Sequence, residues 1–142
     1  MIPSSHFHPM LVHFPIALVT FGFIAEIISI FFKKEKCLST IGFYLLIFGT
    51  LTAVTALLTG VFFTSEMSGI ADEVKETHEL FASLTLIALF VTSVLRIFLK
   101  ITKKEESSLK WIVFLLYALA AIFVSATGFY GGKLVYSYMM PL

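Results

Sequence analysis

Four long apolar stretches constrain this chain more than any other feature. They cover residues 10–32, 38–63, 78–99 and 109–135. A hydrocarbon core about 30 Å thick is crossed by about 20 helical residues rising about 1.5 Å each, and all four stretches reach that length. Lipid offers no hydrogen bonds, so each stretch must satisfy its own backbone, and helices do this. The composition agrees. Hydrophobic residues make up 58% and charged residues 13%, against about 45–50% and about 25% in soluble domains. A water-soluble enzyme, a disordered tail and a nucleic-acid binder are excluded. The net charge of +1 argues against a polyanionic partner. A single cysteine, Cys37, excludes an internal disulfide framework and a cysteine-rich zinc site. The first stretch is no cleaved signal peptide: no basic residue precedes it, it is too long, and no small-residue cleavage site follows.

Basic residues set an expected orientation. Lys33, Lys34, Lys36, Arg96, Lys100, Lys103, Lys104 and Lys110 fall on one side, and only Lys75 and Lys133 on the other. Eight against two makes the first side cytoplasmic. Both termini and the loop after the second span then face the periplasm of a bacterial inner membrane. Short connectors predict an all-α, integral membrane, up-down-up-down four-helix bundle, one domain over residues 1–142. No repeat of 20–50 residues marks a solenoid.

Small and polar residues mark helix contacts in lipid. In the third span, His78, Ala82, Thr85, Leu89, Thr92 and Arg96 form one stripe at helical spacing and should face the bundle. The corresponding stripes are His13, Ala17, Thr20 and Ile24 in the first span and Ala121, Ser125, Gly128 and Gly132 in the fourth. The second span carries Gly49, Ala53, Ala56 and Gly60. These small residues read either as plain helix packing or as room for a bulky ligand.

All four histidines, His6, His8, His13 and His78, lie towards one end. Ionisable groups within a membrane are costly and mark function. In a simple bundle the first and third helices occupy diagonal corners roughly 12–14 Å apart. His13 and His78 would then face each other across room for a metal macrocycle, as in haem ligation by axial side chains. A bare Zn or Cu on His8, His13 and His78 is a second reading of the same atoms. A third takes the histidines as lining a wet interface of a non-catalytic subunit or assembly factor. His6 reads as interfacial.

Glu26 and Arg96 lie at similar depth near the basic side. Each is expected to snorkel to the interface, with pairing from a flank as the alternative. Pro9 and Pro15 shape the start of the first span. Trp111, Tyr117, Tyr130, Tyr136 and Tyr138 read as interfacial anchors. There is no nucleotide-binding glycine loop, Ser-His-Asp set or paired-carboxylate site; Gly128, Gly131 and Gly132 follow no strand.

Three segments carry a resemblance. They are His8-Pro9-Met10-Leu11-Val12-His13-Phe14-Pro15-Ile16-Ala17-Leu18, Thr77-His78, and Gly131-Gly132-Lys133-Leu134-Val135-Tyr136. The whole chain resembles a small bacterial four-helix membrane family of unknown function, some of whose relatives occur beside or fused to cytochrome c or Rieske-type redox modules. By match, His8, His13 and His78 fall on the family's histidine positions, and Gly131, Gly132 and Tyr136 on its closing motif. The family usually continues with glycine and valine; here Ser137-Tyr138-Met139-Met140 follows.

The function expected from these residues is a b-type haem membrane protein for electron transfer at the outer leaflet, a carrier or redox subunit more than a stand-alone enzyme. His13 and His78 would be the axial ligands, with His8 beside them or in place of one. Gly60, Gly128 and Gly132 would give space. Partners would be the bilayer, a membrane quinol, a cytochrome c or another redox subunit, in a homo- or hetero-oligomer.

Overall fold

The structure is a computed structural model that describes residues 7–32, 36–64 and 66–138. His6, Met139 and Met140 lie outside the described residues. The elements are α1 (Phe7–Leu11), α2 (His13–Phe31), α3 (Lys36–Phe63), α4 (Ile70–Ile101) and α5 (Leu109–Ser137). Four segments are long and apolar enough to cross a membrane: Phe7–Phe31, Cys37–Phe63, Ile70–Ile101 and Leu109–Ser137. Among the described residues there is no strand. The fold is all-α, as expected.

The α2–α3 and α4–α5 hairpins make the largest contacts, and α3 with α4 and α2 with α5 close the ring. Helices α2 and α4 therefore occupy diagonal corners, as the sequence predicts. Phe21, Phe48, Phe90 and Phe129, one from each long helix, point outwards. Such a surface suits lipid tails.

Two boundaries depart from the hydropathy reading. Helix α4 starts at Ile70, eight residues before His78. Hydropathy stops at the acidic segment, but Asp72 and Glu73 in a first turn favour the helix through its dipole. Gly69, with φ 65°, starts this helix in a conformation that glycine adopts freely. The first span is broken at Val12. Pro15 has no N–H to give the Leu11 carbonyl, so the helical ladder lacks a rung there.

The third-span stripe faces inwards: Thr85, Leu89 and Thr92 are buried. The first-span stripe does not. His13, Ala17 and Ile24 are exposed, and the buried face carries Pro15, Val19, Gly22 and Glu26. Close approach decides this face. A Cβ on Gly22 would fall 2.9 Å from Leu45 Cβ, and Val19 Cγ2 sits 2.9 Å from the Cβ position of Gly49. Tyr117, expected at the interface, is only 2% exposed and belongs to the core with Val19, Leu46, Leu89 and Ala120.

The corrected faces expose a repeat. His8, Pro15, Val19, Gly22 and Glu26 of the first crossing correspond, 70 residues on, to His78, Thr85, Leu89, Thr92 and Arg96. Gly42, Leu46, Gly49, Ala53, Ala56 and Gly60 of α3 correspond, 71 residues on, to Val113, Tyr117, Ala120, Val124, Thr127 and Gly131 of α5. Both hairpins begin at the same end of the bundle, so a rotation about the bundle axis relates them, a parallel repeat.

Candidate functional site

Polar side chains meet at both ends of the bundle. At the end holding the histidines, His8 and His78 come together with ring centroids 6.2 Å apart and planes at 86°. His8 Nδ1 lies 3.0 Å from the Ala56 carbonyl and 3.2 Å from Thr59 Oγ1. His78 Nδ1 lies 3.0 Å from the Thr127 carbonyl. A carbonyl only accepts, so each Nδ1 carries the proton and donates it. Nε2 of each ring is left as the lone-pair nitrogen, and among the described residues it makes no hydrogen bond. The two arrangements are copies of each other: histidine and carbonyl are separated by 48 residues in one hairpin and 49 in the other.

Glycine makes these positions possible. A Cβ on Gly60 would come within 3.1 Å of His8 Cε1, and one on Gly131 within 3.1 Å of His78 Cε1. Gly60 thus gives its space to an imidazole. Gly128 faces Ile16 Cδ1 at 3.1 Å, and Gly132 opens onto free space.

The structure does not pair His13 with His78. His13 is exposed, and its Nδ1 donates to the Pro9 carbonyl at 2.7 Å. His8 stands beside His78 because it lies one heptad before Pro15, on the buried face of the first crossing. The Ala56 and Thr127 carbonyls were not singled out in the sequence, because a backbone acceptor leaves no mark in residue type. Among the described residues no three His, Cys, Asp or Glu side chains gather as a metal-ligand cluster. The three-imidazole arrangement is therefore not assembled.

At the opposite end, Arg96 Nη2 donates to Glu26 Oε1 and, at 2.6 Å, to Ser39 Oγ. The two charged side chains are 12% and 11% exposed. They pair, in place of the separate snorkelling expected. Gly42 admits the carboxylate: a Cβ there would sit 2.7 Å from Glu26 Oε1. A cavity of about 630 Å³ opens beside the pair, lined also by Tyr117, Lys100, Lys103 and Trp111. The Tyr117 hydroxyl is buried and, among the described residues, has no hydrogen-bond partner.

Thr20 and Ile24 of α2 and Ala121 and Ser125 of α5 line a shallow groove between these two helices. The small-residue stripes of the first and fourth spans thus meet on the flank of the bundle, away from the histidines.

A family model described as a predicted membrane protein (DUF2231) matches residues 4–141. No curated protein and no solved structure matches the chain.

Proposed function

We propose that this chain, which belongs to the DUF2231 family of predicted membrane proteins, binds a metal centre between His8 and His78 and serves electron transfer at one face of the membrane. One observation carries the reading. Two imidazoles from separate hairpins stand 6.2 Å apart with both Nδ1 protons engaged and both Nε2 lone pairs uncommitted. The two Nε2 nitrogens are the atoms that would hold the metal, each as a neutral imidazole donor.

The donor set fits haem b, whose iron takes axial imidazoles and which would supply one-electron chemistry. The Ala56 and Thr127 carbonyls fix the tautomer and orientation of both rings and raise their basicity as ligands. Gly60 and Gly131 let the rings approach the helices. His13, on the outer surface of the same end, is available to a polar edge of the group. A second reading is a bare Cu or Zn ion on the same two nitrogens. It is favoured by Ile16, which fills the space at Gly128 that a macrocycle would use.

The eight-to-two distribution of basic residues supports a bacterial inner membrane with both termini periplasmic and the histidines near the outer leaflet. All described histidines lie at that end, so electrons would enter and leave on one face, through a membrane quinol, a cytochrome c or another redox subunit.

The test is the reduced-minus-oxidised spectrum of the full chain, purified after expression with haem available, beside a metal analysis. A Soret band that shifts on reduction is expected, lost in His8→Ala and in His78→Ala but kept in His13→Ala. Stoichiometric Cu or Zn without that band selects the second reading. A folded protein with neither refutes both and leaves a non-catalytic subunit or assembly factor. Loss of the band in His13→Ala alone would return the ligand role to His13.

A further inference from the structure

We propose that the cavity at the basic end holds the head group of an anionic phospholipid, its phosphate against Lys100 and Lys103. Charge bookkeeping around the cavity leaves these lysines over. Glu26 is neutralised by Arg96, and Lys110 Nζ meets Glu106 at 2.7 Å. Lys100 and Lys103 make no ion pair with any described residue, and Glu105 is the remaining acid on the lining. Lys100 is held in place by an aromatic wall, with Nζ 4.0 Å from the Phe43 ring centre.

Lys103 occupies an unusual position. It ends α4 with φ 55°, and the next amide, Lys104 N–H, donates back to the Leu99 carbonyl at 2.9 Å. Glycine is the residue that closes a helix this way at least cost. A lysine there sets a cation on the cavity rim.

Tyr117, 2% exposed, closes the deep end of the cavity with its ring, and its hydroxyl is turned against Gly22 of α2. Tyr117 lies two turns, about 10 Å, deeper along α5 than Lys110 at the rim. A diacyl phospholipid presents a matching order, phosphate at the water boundary and apolar chains below it. Phe43, Phe114 and Trp111 line the space between and suit the start of acyl chains. Basic pockets between helices on the positively charged side of a membrane protein recognise anionic head groups by this chemistry.

Native mass spectrometry of the full chain, released from nanodiscs of equal phosphatidylglycerol and phosphatidylcholine, tests the proposal. One retained phosphatidylglycerol per chain is expected, in preference to phosphatidylcholine. Lys100→Gln and Lys103→Gln should each cut that preference about five-fold. Lys103→Gly should cut it equally while raising thermal stability, which separates lipid recognition from folding. Equal retention of the two lipids by the wild type would overturn the proposal. So would displacement of the lipid by millimolar inorganic phosphate, which would mark an ion site only.

Discussion

Replacing Glu26 by Gln removes one charge from a pair that the bundle nearly buries. The Gln side chain has almost the same shape and still offers a carbonyl to Arg96. What it cannot do is neutralise the guanidinium. Arg96 would keep Ser39 Oγ as a partner at 2.6 Å, but hydroxyl dipoles compensate a charge poorly. Breaking a buried pair by removing one member costs about 3–5 kcal/mol, and the 12% and 11% exposures leave little solvent to soften this. Glu26→Gln should therefore destabilise the protein by about 3 kcal/mol. Arg96→Leu should cost at least as much, because it strands a carboxylate lodged against Gly42. The Glu26→Leu/Arg96→Leu double variant should fall within about 1 kcal/mol of wild type, since apolar replacement of a whole buried pair is often neutral. With the Glu26→Leu single variant added, equilibrium unfolding in mixed micelles titrated with a denaturing detergent gives the four free energies of the Glu26→Leu/Arg96→Leu cycle. Additivity of the single effects to within about 0.5 kcal/mol would refute the pair as an energetic unit.

Other outcomes follow from the same contacts. Gly22→Ala would put a Cβ 2.1 Å from the Tyr117 hydroxyl, so it should cost about 1–3 kcal/mol, and adding Tyr117→Phe should restore part of that in thermal unfolding. Gly131→Ala places a Cβ 3.1 Å from the His78 ring; it should leave the fold intact and weaken metal or haem affinity about ten-fold in titration, and Gly60→Ala should do the same through His8. An impermeant thiol reagent added outside intact cells should label Ser68→Cys and not the native Cys37, which is exposed at the opposite end; the reverse pattern would invert the orientation.

The sequence carried the number of spans, their order and the inward face of the third. It carried less of the first span, and the reason is physical. In water a polar stripe marks the outside of a helix. In lipid both faces are apolar, and the contact face is set by how closely backbones approach. Ala17 and Thr20 looked like contact residues by size, yet Gly22 opposite Leu45 and Tyr117 fixes the face. One shift of face carried His13 outwards and His8 inwards. The spacing that reveals the true face was present. His8 and Glu26 are 18 residues apart, and so are His78 and Arg96. At 3.6 residues per turn that is five turns, one face, and about 27 Å of rise. The repeat was hidden because few residue identities survive between the hairpins, His8 with His78 and Gly60 with Gly131 among them, and because its 70-residue offset exceeds the periods of stacked repeats.

The two ends of this repeat have diverged to different degrees, and electrostatics accounts for the contrast. Side chains at equivalent positions of the diagonal helices meet near the bundle axis. At the basic end, identical charges would face each other in a poorly solvated interior, where two carboxylates or two guanidiniums repel strongly. There one hairpin holds Glu26 and the other Arg96, and the pair cancels. At the other end, identity carries no such penalty, because two neutral imidazoles can stand side by side. Both hairpins keep histidine, both keep a carbonyl on Nδ1, and both keep glycine against the ring. A shared metal would add a reason for sameness, since two equal nitrogens complete one coordination axis. On the proposed reading, exchange of either histidine for an isosteric neutral side chain should preserve the packing at that end and abolish metal or haem retention, which metal analysis and the visible spectrum would read.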